Sequence, residues 1–151
     1  MKFDVKNLAE MQTLARDMAT QITKSKDMRI LILLEGPMGA GKTQFTRYFI
    51  EALGSTETAS PSFAIHHRYQ TRKGNVDHFD LFRLENEEDL ESTGFWDLFL
   101  DSNGLMIVEW ADRLNDLGLQ EQLPKQWRKI KVSIQLSGLG QERALDIEGW
   151  N

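Results

Sequence analysis

The sequence of 151 residues contains no cysteine. Disulfide bonds, thiolate metal sites and cysteine nucleophiles are therefore excluded. No apolar stretch approaches the ~18 residues that a membrane-spanning helix requires. No apolar segment follows the first residues, Met1 to Val5, so we expect no signal peptide. These features favour a cytoplasmic protein without membrane contact.

Clusters of positive charge are also missing, because lysine and arginine are scattered in runs of at most two. The net charge is −5 and the isoelectric point is near 5.2. We therefore do not expect strong direct binding to nucleic acid. The hydrophobic share of 40% and the charged share of 27% are ordinary for a globular protein. A chain of this length and composition predicts a single domain over residues 1–151.

The most informative segment that is present runs from Gly36 to Thr43 and reads G-P-M-G-A-G-K-T. It fits the phosphate-binding pattern G-x-x-x-x-G-K-[ST] at every fixed position. The apolar run Ile30–Leu34 precedes it, and a helical segment from Lys42 to Leu53 follows it. A strand, a glycine-rich loop and a helix N-terminus are thus predicted in the order that places backbone N–H groups around a phosphate.

Within this segment, Lys42 is predicted to neutralise the β- and γ-phosphates, and the Thr43 hydroxyl to hold Mg²⁺. The predicted ATP-binding residues of the loop and its flanks are Met38, Gly39, Ala40, Gly41, Lys42, Thr43 and Gln44.

A second apolar run, Leu105–Val108, ends in Glu109. A carboxylate at the end of a buried strand can hold the metal with Thr43, directly or through water, or it can simply be solvated. Asp77 and Asp80 are three residues apart, so on one strand they point to opposite faces. Asp80 is a candidate to order the attacking water or the metal shell, and an edge-strand carboxylate without function is the alternative.

Histidines and a tryptophan lie near these acids in the sequence. His66 and His67 point opposite ways on a strand, so surface or hydrogen-bonded histidines are favoured over a metal cluster that also includes His78. Trp110 follows Glu109 directly and either walls the nucleotide pocket or packs on a core edge.

The remaining pattern predicts an α/β fold: a single-domain P-loop NTPase with a mixed central sheet flanked by helices. Parallel strands at 29–35 and 105–109 form the predicted core, and antiparallel hairpins form its margins. The predicted hairpin strands are 63–69 with 76–82, and 130–136 with about 142–148. The predicted helices follow Asn7, which caps with Glu10 three residues on, and span about 85–91 and part of 111–123.

Four stretches together resemble the bacterial TsaE (YjeE) family of small P-loop ATPases. They are G-P-M-G-A-G-K-T at 36–43, S-P-S-F at 60–63, H-F-D-L-F-R-L at 78–84 and I-V-E-W at 107–110. Their order and spacing agree with the family pattern, although Pro37 and Met38 replace Asp and Leu, and Phe82 replaces Tyr.

The resemblance implies roles for particular residues. Lys42, Asp80 and Glu109 are implied to be catalytic, and Thr43 with Glu109 to hold Mg²⁺. Adenine is implied to lie near Asn7 and Leu8, with Trp110 flanking the site. A switch-type loop near the γ-phosphate is implied at Ser60, Pro61, Ser62 and Phe63.

The resemblance also implies a function. Family members support N6-threonylcarbamoyladenosine formation at adenosine 37 of tRNA. They bind a TsaB–TsaD-type complex and are thought to reset it by Mg²⁺-dependent ATP hydrolysis, which is weak without the partners.

Two other functions are compatible with a phosphate loop. A small-molecule kinase needs a lid with several arginines, but region 111–128 offers only Arg113 and Arg128. A nucleotide-sensing scaffold without hydrolysis would not need Thr43, Asp80 and Glu109 together. A GTPase is disfavoured because the guanine signature N-K-x-D is missing.

Overall fold

A computed structural model describes residues 1–26, 28–55, 65–100 and 104–150. No helix within these ranges is long and apolar enough to cross a bilayer. The strands are β1 (Lys2–Val5), β2 (Arg29–Glu35), β3 (His66–Thr71), β4 (Gly74–Asp80), β5 (Gly104–Glu109), β6 (Arg128–Leu136) and β7 (Arg143–Glu148). The α-helices are α1 (Leu8–Ile22), α2 (Lys42–Ala52), α3 (Glu87–Glu91) and α4 (Asp112–Asp116), with short 3₁₀ turns at Trp96–Leu100 and Gln120–Gln122.

The seven strands form one mixed sheet in the order β1-β7-β6-β2-β5-β4-β3. Strand β2 lies in the middle and pairs in parallel with both β5 and β6, and β5 pairs in parallel with β4. The outer pairs β3–β4, β6–β7 and β1–β7 are antiparallel. The predicted α/β fold with a mixed sheet is therefore confirmed.

Strand β2 is apolar and buried between its charged end residues, Arg29 and Glu35, as expected for a strand covered on both faces. Ile30, Ile32 and Leu34 point into one core, which contains α1 and α2. Leu31 and Leu33 point into a second core on the other face. Alternate side chains of a strand point to opposite faces, so this continuous run joins two separate hydrophobic layers.

Helix α1 begins where its sequence predicts. The Asn7 side chain accepts a hydrogen bond from the Glu10 backbone N–H at 3.0 Å. Met11 and Met18 are buried on the face that packs against the sheet and α2. The cap and the helical spacing of the apolar residues together fix both the start of the helix and the face that it buries.

Aromatic rings fill the opposite layer, between the sheet and the segments 81–100 and 110–127 that cover it. Phe95 stands edge-on to Phe79 on β4, with centroids 5.0 Å apart, and to Phe99 at 5.1 Å. Phe99 in turn meets Trp127 edge-on at 5.1 Å. Edge-to-face contacts of this kind stabilise aromatic cores beyond the area they bury, so a segment with little regular structure is held firmly on the sheet.

The structure extends the predicted parallel core. Each predicted hairpin contributes one of its strands to that core, since β4 pairs with β5 and β6 pairs with β2. Strand β4 ends at Asp80, two residues before its predicted end. Strand β3 begins at His66, one residue after Ile65, and positions 63 and 64 of the predicted strand lie outside the described residues. The edge strand β1 had no predicted counterpart.

Gly36 follows β2 and lies against the backbone of β6. Its φ is +147°, and a Cβ at this position would meet the Ile134 carbonyl oxygen at 2.3 Å. We expect Gly36→Ala to lower the free energy of unfolding by about 3 kcal/mol, because strain and backbone overlap add. Urea denaturation without nucleotide measures this loss.

Gly39→Ala is the matched control. Gly39 has φ +79°, but no atom lies within 4 Å of its added Cβ. Only the backbone strain of about 1 kcal/mol is expected there. Equal losses for the two variants would contradict the close approach of β6 to Gly36.

Candidate functional site

Three parallel strands end at the same edge of the sheet. Leu34, next to the last residue of β2, pairs with Glu109, the last residue of β5. Glu109 also pairs with Asp80, the last residue of β4. The carboxyl edge of a parallel sheet is the usual place for a ligand site. The pairing register therefore brings the two carboxylates together beside the loop that follows β2.

That loop connects β2 to α2 and has the geometry of an anion site. Gly39 and Gly41 take φ values of +79° and +109°, which favour glycine. Gly41 caps α2, and no side chain occupies the cap. The first N–H groups of a helix have no partner within the helix and attract anions. The helix N-terminus is thus left for a ligand such as phosphate.

Glu109 is a buried carboxylate whose two oxygens both have partners. It is only 1% exposed. The Thr43 hydroxyl donates to its Oε1 at 2.7 Å, and His78 Nε2 lies 2.5 Å from its Oε2. Burial of a carboxylate is tolerated only when it is hydrogen-bonded or paired, so Thr43 and His78 hold this acid at the base of the loop.

Lys42 is folded back onto the loop that precedes it. Its ammonium group donates to the carbonyl oxygens of Gly36 at 2.7 Å and Pro37 at 2.9 Å, and the residue is 5% exposed. Burial lowers the pKa of Lys42 from its ordinary value, and the carboxylates of Glu109, Asp112 and Asp80 oppose that shift. A phosphate at the loop would oppose it further, since it adds negative charge next to the ammonium.

Trp110 covers the ammonium group of Lys42. The Lys42 Nζ lies 3.9 Å from the centroid of the indole ring, a cation–π contact. The ring also packs against Phe82, with centroids 4.9 Å apart. The backbone of Trp110 has φ +57°, which is unusual for a bulky residue. Trp110 thus lines the cleft and also packs on an aromatic neighbour. A role in walling a nucleotide pocket stays a prediction.

Asp77 and Asp80 have different environments, as their spacing predicts. Asp77 accepts hydrogen bonds from the guanidinium of Arg68 at 2.9 and 3.2 Å, and His66 Nε2 lies 2.7 Å from it. Asp80 instead accepts the Phe82 backbone N–H at 3.0 Å and lines the cleft at the loop. Of the two acids, only Asp80 is placed where it can meet a ligand of the loop.

The cleft in front of the loop has a volume of about 370 Å³, within the usual range for a small-molecule site. The structure brings most of the predicted residues together here, and adds Phe82. The lining residues are Met38, Gly39, Gly41, Lys42, Thr43, Gln44, Asp80, Phe82, Glu109 and Trp110. Ala40, which is also part of the loop, is completely buried and does not line the cleft.

Other predicted residues lie elsewhere. Asn7 and Leu8 do not line this cleft, although α1 reaches the loop through Met11, whose Cε would be 3.2 Å from a Cβ on Gly41. Contact between adenine and Asn7 or Leu8 stays a prediction. The predicted switch loop, Ser60 to Phe63, lies outside the described residues.

Within the described ranges, no three histidine or acidic side chains are arranged to hold a metal ion. His66 and His78 are each hydrogen-bonded to a carboxylate. The specific contact of His78 with Glu109 was not predicted. The sequence placed His78 and Glu109 on predicted strands, but it did not give the register between those strands.

Arg143 is a further residue at the loop that the sequence pattern did not reveal. Its guanidinium donates to the carbonyl oxygens of Ala40 at 2.9 Å and Gly39 at 3.3 Å. Arg113, considered in the sequence as one of two lid arginines, donates to the Phe82 carbonyl oxygen at 2.9 Å. Arg143 lies 103 residues beyond Ala40 in the chain, so no local spacing signals the contact.

Comparison with known proteins identifies the family. Residues 5–144 match the model of the family described as threonylcarbamoyl adenosine biosynthesis protein TsaE. The chain belongs to the TsaE family. A TsaE protein of Aquifex aeolicus is 32% identical over 125 residues, which cover 79% of this chain and 85% of that protein. The TsaE protein of Bacillus subtilis is 36% identical over 109 residues, 72% of this chain and 63% of that protein.

A solved structure shares the TsaE fold. The crystal structure of YdiB from Bacillus subtilis matches with a TM-score of 0.68 and 27% identity, over all of this chain and 86% of that one. The matches to several other curated TsaE relatives span about half to two-thirds of those proteins, for example 53% for that of Haemophilus influenzae and 60% for that of Rickettsia prowazekii.

The pairing of His78 with Glu109 predicts a measurable effect on stability. His78→Ala leaves a buried carboxylate with Thr43 as its remaining partner. We expect the free energy of unfolding to fall by about 1.5–3 kcal/mol, the usual contribution of a hydrogen bond to a charged group. Urea denaturation in metal-free and nucleotide-free buffer measures the loss.

His66→Ala provides the control, because Arg68 still holds Asp77 through two hydrogen bonds when His66 is removed. A smaller loss is expected for this variant. If His78→Ala were no more destabilising than His66→Ala, the role assigned to His78 in holding Glu109 would be wrong.

Proposed function

We propose that this TsaE-family chain is a Mg²⁺-dependent ATPase. Its hydrolysis supports N6-threonylcarbamoyladenosine formation at adenosine 37 of tRNA, through binding to a TsaB–TsaD-type complex. The observation that carries the proposal is the hydrogen bond of 2.7 Å between the Thr43 hydroxyl and Glu109 directly beneath the phosphate loop. It joins the last position of the loop pattern to the acid that ends a neighbouring strand, and the family match supports the biological role.

The chain's own groups supply the binding of the triphosphate. Backbone N–H groups of Gly39 and of residues 41–43 surround the phosphates, as the left-handed glycines and the uncapped start of α2 permit. The N–H of Ala40 is taken by the Pro37 carbonyl oxygen. Lys42 exchanges its two carbonyl partners for phosphate oxygens. Its ammonium is already within reach of the cleft, so binding replaces one set of hydrogen bonds with a charge-assisted set.

The oxygens of Thr43 and Glu109 suit a magnesium ion. Mg²⁺ prefers hard oxygen ligands and is commonly held by one or two protein groups together with phosphates. Thr43 and Glu109 would hold it, and His78 keeps Glu109 oriented through the carboxylate oxygen that faces away from Thr43. When bound, the ion neutralises negative charge on the β- and γ-phosphate oxygens.

Asp80 is the proposed orienting group for the attacking water. Its backbone position is fixed by pairing with Glu109 and by its N–H bond to the Ile65 carbonyl oxygen at 2.8 Å. Its Oδ1 accepts the Phe82 N–H, which leaves the other carboxylate oxygen available to a water molecule. Orienting a nucleophile is the main contribution a protein makes to phosphoryl transfer besides charge stabilisation.

Hydrolysis by this chain alone is proposed to be slow. Among the described residues that line the cleft, lysine is present but arginine is not. An arginine that stabilises the transferring phosphoryl group accelerates such reactions by about 10³–10⁵-fold. A partner protein that completes or reshapes the cleft would therefore raise the rate, which is consistent with a role in resetting a TsaB–TsaD-type complex.

The role of Asp80 is tested with Asp80→Asn, which keeps shape and removes charge. We expect the rate of phosphate release from ATP to fall about 100-fold or more, since the water loses its oriented acceptor. The dissociation constants of ATP and ADP, measured by calorimetry, should change little.

Asp116→Asn is the matched control, because Asp116 is exposed on α4 and lies outside the cleft. This variant should retain the full rate. A normal rate in Asp80→Asn, or an equal loss in both variants, would rule out the proposed role of Asp80. A scaffold without hydrolysis would show no phosphate release in the unaltered protein either.

The partner is tested by co-purification with a TsaB–TsaD pair in the presence of ATP, ADP or no nucleotide. We expect association that depends on the nucleotide, because a partner that acts on the cleft must sense its occupancy. Asp80→Asn should still associate with ATP present, since it binds but does not hydrolyse. Failure to associate under any nucleotide would leave a phosphate-loop ATPase without this role.

A further inference from the structure

Arg143 begins β7, immediately after the turn that joins β6 to β7. Within the described chain, its four hydrogen bonds all go to backbone carbonyl oxygens. Two of these belong to the phosphate loop, Ala40 at 2.9 Å and Gly39 at 3.3 Å. The other two belong to the turn, Gly140 and Glu142, both at 2.8 Å. One guanidinium thus connects the turn to the phosphate loop.

These contacts fix the orientation of two peptide groups. A trans peptide is planar, so its carbonyl and the following N–H point in opposite directions. Arg143 holds the carbonyls of Gly39 and Ala40, and this directs the N–H groups of Ala40 and Gly41 away from the guanidinium. The Ala40 N–H donates to the Pro37 carbonyl oxygen at 3.1 Å, and Gly41 lines the cleft.

The glycines of the loop restrict its backbone very little, so the orientation of its peptide groups depends on contacts from outside the loop. Gly39 and Gly41 adopt positive φ values, and a glycine without Cβ can rotate its peptide group more freely than other residues. A planar guanidinium that grips two successive carbonyls restricts both peptide groups together. It also places a positive charge beside the carbonyl oxygens of Gly39 and Ala40.

We propose that Arg143 is a positioning residue that holds the phosphate loop in its anion-binding conformation and makes the β6–β7 turn part of the nucleotide site. Arg143 itself does not touch the nucleotide. The proposal rests on the proposed function to the extent that the loop binds a nucleotide. It adds a residue from the last strand to a site otherwise built from the phosphate loop, the start of α2 and the ends of β4 and β5.

The test compares Arg143→Lys with Arg128→Lys. Arg128 makes the same kind of contact at the first residue of β6, far from the phosphate loop. Its guanidinium donates to the Gly149 carbonyl oxygen at 3.0 and 3.1 Å and to that of Trp150. Lysine keeps the charge in both variants but lacks the planar fork. Both variants should therefore lose some stability, but only Arg143→Lys should bind nucleotide more weakly.

ADP is the probe, without magnesium, so that the phosphate loop is tested apart from the metal. We expect Arg143→Lys to raise the dissociation constant of ADP about tenfold or more, in line with the loss of a charge-assisted hydrogen bond. Arg128→Lys should leave it unchanged. The amide resonance of Gly41 in ¹⁵N spectra should move in nucleotide-free Arg143→Lys and stay in place in Arg128→Lys.

Unaltered ADP binding in folded Arg143→Lys would overturn the proposal while the proposed function stands. So would equal losses in the two variants, because these would reflect stability alone. Urea denaturation identifies the folded fraction of each variant, and Arg143→Gln repeats the comparison if the lysine variant unfolds. If the unaltered protein bound neither ADP nor ATP, the proposed function would fail and this inference with it.

Discussion

The site depends on the burial of one carboxylate. Glu109 is 1% exposed, and a carboxylate taken out of water must find partners within the protein. Thr43 and His78 provide them from α2 and β4. The same two contacts tie the start of the helix after the phosphate loop to the neighbouring strands. The position of the loop relative to the sheet is therefore set by the need to satisfy this acid.

The loop is restrained from the other side by β6 and β7. Gly36 lies so close to the Ile134 carbonyl that a methyl group does not fit, and Arg143 holds the carbonyls of Gly39 and Ala40. The hydrophobic layers hold the strands, while these polar and backbone contacts set the loop itself. A phosphate site needs this second kind of restraint, because its N–H groups must converge before the ligand arrives.

The sequence predicted the parts of this site whose signals are local. The glycine spacing at 36–43 and the apolar runs before it and before Glu109 each lie within a few residues, so the strand, the loop and the acid could be read directly. The parallel pairing of β4 with β5 and of β6 with β2 could not, because register depends on contacts between distant segments. The role of Arg143 was not predicted because it too depends on a contact between distant segments. Strand β1 was not predicted because its four residues are too few to show an alternating pattern.

The side chains that are proposed to bind Mg²⁺ and ATP already have internal partners: Lys42 has the carbonyls of Gly36 and Pro37, and Thr43 has Glu109. Ligand binding is then an exchange of hydrogen bonds, and the net gain per contact is smaller than the strength of the new bond.

The left-handed backbone of Trp110 adds a cost of about 1–3 kcal/mol that its surroundings must offset. Its ring lies over the Lys42 ammonium and against Phe82, so the strained residue is held by the same group that must move when phosphate enters. Movement of Lys42 toward a bound anion would therefore change the contacts of Trp110, which also lines the cleft.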